Sequence, residues 1–201
     1  MADVPHARIR EYIGTLSSKA WDNLRNSQYL QPPLIDSRGM RFGRPKLQLW
    51  GDAAGFHDYE PHTLTVFQPF DDVSPLVRKA VWKESDDLRL LRALVEGKTP
   101  VNLPEPTPTI EVYDKTIDGS QFEVLLNEAV GLRIPVVWTW PTDRDSLTTD
   151  VGMVGFEFFD LPEPQARVRC AWSVDLPPEW EPVTEWFGRI IEWLETQIEG
   201  D

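Results

Sequence analysis

The sequence predicts an α+β fold: a mixed β-sheet with one β-α-β crossover and a C-terminal antiparallel hairpin, covered by N- and C-terminal amphipathic helices. Residues 166–176 alternate apolar and polar side chains, which is typical of a strand with one buried face. Residues 179–199 repeat apolar side chains at helical spacing, so one side of that helix is expected to lie on the sheet. A strand, a helix and a strand follow one another between residues 109 and 140, which predicts a right-handed parallel crossover.

The first half of the chain predicts one long helix, two short strands and two short helices. The spacing of the apolar residues places these elements, in chain order, at residues 5–27, 46–50, 63–68, 75–83 and 86–96. Ser74 and Ser85 directly precede the two short helices and are their predicted N-caps. Pro75 suits the first position of a helix, where its missing N–H has no intrahelical acceptor.

The second half begins with a proline-rich stretch, residues 98–108, which predicts an extended strap. We expect a single α+β domain over residues 1–201, with a possible division into residues 1–97 and 109–201 around this strap. Ser120 fits a capping box and Gly131 ends the helix that follows it. The elements beyond the strap are predicted at residues 109–114, 121–130, 134–140, 151–161, 166–176 and 179–199.

The net charge of −13 is unevenly distributed along the chain. Residues 1–50 carry a net charge of +4, whereas residues 141–201 carry −10. Because an acidic surface repels phosphates, this pattern argues against a nucleic-acid partner. It favours high solubility in the first place, or a protein partner with a basic surface. The loop that follows the first predicted helix contains a small basic cluster: Arg38, Arg41, Arg44 and Lys46. This cluster is expected to bind an anion or nucleic acid, to remain solvated, or to pair with the acidic C-terminal half of the chain.

The compartment is predicted from what the sequence lacks. Its single cysteine, Cys170, cannot form an intrachain disulfide, and no apolar leader follows the first residues. No apolar run reaches the roughly 18 residues that a membrane-spanning helix needs. We therefore expect a cytoplasmic protein without a membrane partner, and the excess of arginine over lysine, fourteen to six, is typical of a GC-rich bacterial genome.

The function predicted first is that of a non-enzymatic, acidic, Trp-rich interaction module, such as an adaptor, an inhibitor or an immunity-type protein. The acidic final helix would present Glu185, Glu192 and Glu195 to a basic partner, with Trp180 and Trp193 as aromatic anchors. The nine tryptophans exceed what a core of this size requires, although a Trp-rich core is the alternative explanation. The oligomeric state is left open.

The alternative function is a metal-assisted hydrolase, which would use His57, Asp58, Glu60 and His62. Imidazole nitrogens and carboxylates are the ligands that zinc and similar divalent metals prefer. The spacing contains no His-Glu-x-x-His motif and no cysteine pair, so an exposed polar turn between two strands is the other interpretation. A divalent metal is the one cofactor considered, and otherwise none is expected.

A third hypothesis concerns Cys170 as a nucleophile. Cys170, the Pro177-Pro178 pair, Trp180 and the helix containing Trp193 are together similar to the part that follows the active cysteine in ubiquitin-conjugating-type folds. The resemblance covers about thirty residues and implies thioester chemistry at Cys170. No His-Pro-Asn element precedes Cys170, and its position on an apolar strand face predicts instead a buried, small hydrophobic residue.

Overall fold

A computed structural model describes residues 6–26, 42–51, 60–69, 74–96, 103–134, 153–159, 168–173, 176 and 178–200. The described elements begin and end with a long helix, and three consecutive strands follow the first one. The strands are β1 (Phe42–Gly51), β2 (His62–Pro69), β3 (Leu76–Trp82), β4 (Ile110–Thr116), β5 (Met153–Phe158) and β6 (Val168–Ser173). The helices are α1 (His6–Asn26), α2 (Glu84–Glu96), α3 (Gly119–Val130) and α4 (Glu181–Glu199), and a 3₁₀-helix (Pro178–Trp180) leads into α4.

The six strands form one sheet in the order β4-β3-β2-β1-β5-β6, and each pair of described neighbours is antiparallel. The α+β class is therefore confirmed, and so is the antiparallel pairing of the last two strands. Strands β4 and β5 run in the same direction, but three strands lie between them. Apart from Ile134, the strand predicted at residues 134–140 lies outside the described residues, and so does its parallel crossover.

The sheet contains strands from both sides of the predicted strap. Strands β1 to β3 precede residues 98–108 and strands β4 to β6 follow them, with β3 paired to β4 and β1 paired to β5. The described part of the strap is held to α1 by an ion pair between Lys19 Nζ and Glu105 Oε1, 2.7 Å apart. The division into domains stays a prediction.

The helix predicted at residues 75–83 is wrong, because the structure has strand β3 there, between β2 and β4. Every residue of β3 is buried. Val77 lies in the core on one face of the sheet and Ala80 in the core on the other. Arg78, which helical spacing would place in solvent, instead donates two hydrogen bonds of 2.7 Å to the Asp114 carboxylate of β4. A short run that is apolar on both faces cannot be assigned by periodicity alone.

Two predicted helix caps are wrong as well. Helix α3 is capped by Asp118, whose carboxylate accepts a hydrogen bond of 2.9 Å from the backbone N–H of Ser120. Helix α2 begins at Glu84, so Ser85 lies inside its first turn. Aspartate and serine are equally good N-caps, so the sequence alone could not separate two neighbouring candidates. The predicted end of α3 at Gly131 is confirmed.

Helix α4 lies on one face of the sheet with its apolar side inward, as predicted. Trp186 is 0% exposed, and its Nε1–H donates a hydrogen bond of 2.8 Å to the carbonyl oxygen of Leu125 in α3. Its ring centroid lies 5.2 Å from that of Phe156 in β5. The buried residues of α4 are Val183, Trp186, Phe187, Ile190, Ile191 and Leu194. The opposite side of α4 faces solvent.

Helix α1 covers the other face of the sheet. Its buried residues pack against Ala80 and Trp82 of β3 in a second core: Leu16, Ala20 and Leu24. The carbonyl oxygen of Leu24 accepts hydrogen bonds from Gln48 Nε2 at 3.2 Å and from Thr63 Oγ1 at 3.5 Å. These buried polar contacts fix the end of α1 over strands β1 and β2.

Candidate protein-binding face of helix α4

The solvent side of α4 carries a stripe of four exposed carboxylates, which we call the acidic stripe: Glu181, Glu185, Glu192 and Glu199. They follow one another at intervals of four, seven and seven residues, and therefore lie along one side of the helix. At 1.5 Å per residue the acidic stripe is about 27 Å long. None of the four has an ion-pair partner among the residues that the structure describes.

The acidic stripe opposes the stability of its own helix. Glu181 and Glu185 are like charges at a helical i,i+4 spacing, and such a pair destabilises a helix, although the place of Glu181 in the first turn is itself favourable. The last turn of α4 contains Glu199 but no basic residue, although a helix C-terminus favours positive charge. The described contacts within the chain therefore give no structural reason for this distribution of charge.

Gly188 interrupts the acidic stripe at its middle, between Glu185 and Glu192. It is exposed, and a Cβ placed on it would meet no atom within 4 Å. A glycine inside a helix lowers helix stability relative to alanine, and here no close contact within the chain requires it. The result is a shallow notch in the helix surface where another chain could approach the α4 backbone.

Arg189, the basic residue of α4, does not neutralise the acidic stripe. Its guanidinium donates a hydrogen bond of 2.6 Å to the Glu128 carboxylate of α3. This exposed ion pair links the two neighbouring helices and leaves the carboxylates of the acidic stripe available to a partner.

The predicted binding carboxylates fall into two groups. Glu185 and Glu192 are exposed members of the acidic stripe. Glu195 instead turns toward the sheet, where its Oε1 lies 3.2 Å from His62 Nε2 and 3.4 Å from Lys79 Nζ. Burial by itself raises the pKa of Glu195, but the contact with His62 and the charge of Lys79 outweigh it, so the pKa is lowered. Glu195 thus holds α4 on the sheet as an ionised group.

The two predicted aromatic anchors both pack inside the protein. Trp180 is 7% exposed, and its ring centroid lies 6.0 Å from that of Trp172 in β6. Trp193 is half-buried and stacks on Phe122 of α3, with the centroids 6.5 Å apart. The described structure therefore presents carboxylates rather than large aromatic surfaces on the outer side of α4.

The predicted metal ligands are only partly described, since His57 and Asp58 lie outside the described residues. Glu60 forms an ion pair of 2.7 Å with Lys83. His62 is 0% exposed, and its Nδ1 lies within hydrogen-bond distance, 3.0 Å, of the Glu60 carbonyl oxygen. Within the described ranges no group of three or more His, Cys, Asp or Glu side chains could hold a metal ion.

Cys170 lies in β6, in the same buried core as Trp172. Burial raises the pKa of its thiol, which disfavours the thiolate that a nucleophilic cysteine requires.

Of the four basic residues in the first loop, Lys46 pairs with Glu123 of α3 at 2.7 Å, while Arg38 and Arg41 lie outside the described residues.

The sequence-based prediction placed Glu199 on the polar side of the final helix but missed Glu181 and Gly188 as parts of this face. Both can be recognised in the sequence as polar or glycine positions opposite the apolar stripe of that helix. The signal for Gly188 is an isolated glycine in the interior of an otherwise regular helical pattern.

Comparisons of the chain with protein-family models, with curated proteins and with solved structures find no match. None of the described helices is both long enough and apolar enough to cross a membrane. The class that the structure defines is therefore the α+β class itself: an antiparallel sheet with helices on both faces.

Proposed function

We propose that this chain is a non-enzymatic protein-binding module whose acidic stripe receives a partner with a basic surface. The observation that carries the proposal is the stripe itself: four exposed carboxylates on one rigid helix, without ion-pair partners among the described residues. Their placement weakens α4, and a favourable contact with another molecule would compensate for that loss.

The rigidity of α4 supports the proposal. Trp186 and Ile190 are fully buried, so the helix backbone is held against the sheet and the carboxylates keep a constant spacing. A partner with lysines or arginines along an extended strand or a helix could pair with several of them at once. Such exposed charges mainly accelerate association and set the choice of partner, and their effect decreases as salt rises.

The notch at Gly188 supports a close approach between the two chains. Because no side chain projects there, a partner's backbone or a small side chain could contact the surface of α4 between Glu185 and Glu192. Direct contact would add short-range packing to an otherwise long-range electrostatic attraction.

The experiment compares two variants with the same change of charge. The double variant Glu185→Lys, Glu192→Lys reverses the centre of the acidic stripe. The control variant Glu11→Lys, Glu96→Lys makes the same change at exposed positions on α1 and α2. Each protein is immobilised and used to capture binding partners from an extract of its native host, and the captured proteins are quantified by mass spectrometry.

We expect one specific protein with a basic surface to be captured by the unchanged protein and by the control, and to be lost with the α4 variant. Purified, that protein should associate at least about tenfold more slowly as ionic strength rises from about 0.05 to 0.5 M. Equal capture by all three proteins, or equal loss in both variants, would remove the acidic stripe as the binding surface.

The other predicted functions gain no support from the described residues. The pairing of Glu60 with Lys83 and the burial of His62 do not favour the metal-assisted hydrolase, and the burial of Cys170 does not favour the conjugating-type enzyme. The cytoplasmic location and the bacterial origin stay predictions.

A further inference from the structure

Strand β4 forms one edge of the sheet, and its middle part is exposed. Among the described strands only β3 pairs with it. Val112 and Tyr113 are 40% and 46% exposed, although apolar and aromatic side chains of strands normally pack against a neighbouring strand. Glu111 and Asp114, on either side of them, are exposed as well. An edge of this kind can pair with a strand of another chain.

Strand β4 lacks two features that commonly protect an edge strand from such pairing. It contains no proline, and its register with β3 runs over all seven residues without a bulge. Charged side chains can also protect an edge, but the Asp114 carboxylate is paired with Arg78 of β3, with two hydrogen bonds of 2.7 Å. The other two charges of β4, Glu111 and Lys115, are of opposite sign and could attract a suitably placed second copy.

The hydrogen bonds at the two ends of β4 show which of its backbone groups point outward. The backbone N–H of Lys83 donates to the Thr109 carbonyl oxygen at 2.9 Å. At the other end, the N–H of Ile117 donates to the Pro75 carbonyl oxygen, also at 2.9 Å. Since hydrogen-bonded pairs alternate along an antiparallel ladder, the odd-numbered residues of β4 bond to β3. The N–H and C=O groups of the even-numbered residues therefore point away from the sheet: Ile110, Val112, Asp114 and Thr116.

A second copy of β4 matches all of these outward-pointing groups in one register. A two-fold axis that relates two antiparallel edge strands is perpendicular to the sheet, and it passes midway between the two copies of one residue. With the axis at Tyr113, Ile110 of each copy lies opposite Thr116 of the other. In the same register Val112 lies opposite Asp114, so every outward-pointing residue is in a hydrogen-bonded pair. Moving the axis to Val112 or to Asp114 would leave one end of β4 without a strand residue opposite.

The same register also brings opposite charges together. Glu111 of each copy lies opposite Lys115 of the other, and Tyr113 lies opposite its own counterpart. These are the non-hydrogen-bonded pairs, in which the Cα atoms approach to about 4.5 Å and the side chains are closest. Opposite charges and aromatic rings are favourable cross-strand pairs. An axis at Asp114 would instead place two carboxylates directly opposite each other, which is unfavourable.

We propose that this chain forms a symmetric dimer in which the β4 strands of two copies pair antiparallel about Tyr113. The two sheets then become one continuous sheet of twelve strands, six from each copy. Because the axis is perpendicular to this sheet, both α4 helices lie on the same side of it. The proposal depends on the edge of the sheet and not on the partner proposed for the acidic stripe.

The test measures association of the full-length protein by sedimentation velocity between about 1 and 500 µM. Val112→Pro removes an outward-pointing N–H but no hydrogen bond to β3, a position where an edge strand tolerates proline. Glu111→Lys and Lys115→Glu each place like charges opposite one another in the dimer. The control Asp22→Lys makes the same change of charge as Glu111→Lys at an exposed position of α1. Far-UV circular dichroism and Tm verify that each variant is folded.

We expect a dimer in the unchanged protein and in Asp22→Lys, and a monomer in Val112→Pro. The dissociation constant should rise at least about tenfold in Glu111→Lys and in Lys115→Glu, because two attractive pairs become repulsive. An equimolar mixture of these two variants should restore the dimer, since the lysines of one copy then face the glutamates of the other.

Amide hydrogen exchange of the unchanged protein locates the pairing within β4. The outward-pointing N–H groups of Val112 and Asp114 should become protected as the protein concentration rises. The N–H of Tyr113, which bonds to β3, should be protected at every concentration.

Three results would overturn the proposal. The first is an unchanged protein that stays monomeric up to about 500 µM. The second is a folded Val112→Pro variant that still dimerises, because another surface would then form the dimer. The third is a mixture of Glu111→Lys and Lys115→Glu that associates no better than either variant alone, and this result decides the matter if Val112→Pro does not fold.

Discussion

Replacing Trp186 tests whether the packing of α4 on the sheet holds the candidate binding face in place. The side chain is 0% exposed and lies in the largest core, so Trp186→Ala removes a whole buried aromatic ring. Changes of this size destabilise proteins by about 3–5 kcal/mol. The hydrogen bond to the Leu125 carbonyl contributes a smaller part, about 0.5–1.5 kcal/mol.

The variant Trp186→Phe separates these two contributions. It keeps most of the aromatic contact with Phe156, whose centroid lies 5.2 Å away, but it removes the Nε1–H donor. We therefore expect the free energy of unfolding to decrease less than half as much in Trp186→Phe as in Trp186→Ala. Urea unfolding monitored by far-UV circular dichroism measures both, because the remaining tryptophans do not complicate that signal.

The reasoning is refuted if Trp186→Ala lowers the free energy of unfolding by less than about 1 kcal/mol, since no buried aromatic side chain is that dispensable. A loss in Trp186→Phe equal to that in Trp186→Ala would instead mean that the hydrogen bond, rather than the ring, attaches α4 to α3. The variant Glu192→Ala, which changes an exposed residue of the same helix, serves as a control and should leave the free energy of unfolding nearly unchanged.

Two further predictions concern the same helix. Gly188→Ala should raise the free energy of unfolding by about 0.5–1 kcal/mol, because a Cβ at this position meets no atom within 4 Å. The control Gly14→Ala on α1 should have the same effect on stability for the same reason, but only Gly188→Ala should weaken binding of the partner. A Gly188→Ala variant that is less stable than the unchanged protein would contradict this prediction. Because the folded-state pKa of Glu195 is lowered, its contact with His62 and Lys79 stabilises the protein above the unfolded pKa of glutamate, and this stability is lost as pH falls through the folded pKa. Glu195→Gln should therefore flatten the decrease in urea stability between about pH 5 and pH 3, and an unchanged slope would contradict the assignment.

Local patterns predicted the two long helices and most of the strands. The apolar residues of α4 recur at helical spacing, and the buried set Val183, Trp186, Phe187, Ile190 and Leu194 could be read from that spacing alone. The exposed carboxylates Glu185 and Glu192 followed for the same reason, since the polar side of an amphipathic helix is a local property of the sequence.

The error at β3 has a different origin. Its residues are apolar on both faces because β2 and β4 flank it and helices cover both sides of the sheet. Arg78 and Lys79 are tolerated there because Asp114 and Glu195 reach them from elements that are distant in sequence. Nothing within residues 75–83 records those partners, so a helix fitted the local pattern equally well.

The sequence by itself determined the class of fold, the burial of the final helix and the acidic character of its outer side, because periodicity and charge depend only on neighbouring residues. The tertiary structure decided which polar residues face solvent and which are buried. Glu195 was expected to bind a partner, but it faces Lys79, 116 residues earlier in the chain. The contact between the Arg169 guanidinium and the Trp50 ring likewise depends on the order of strands in the sheet, which no local pattern in the sequence specifies.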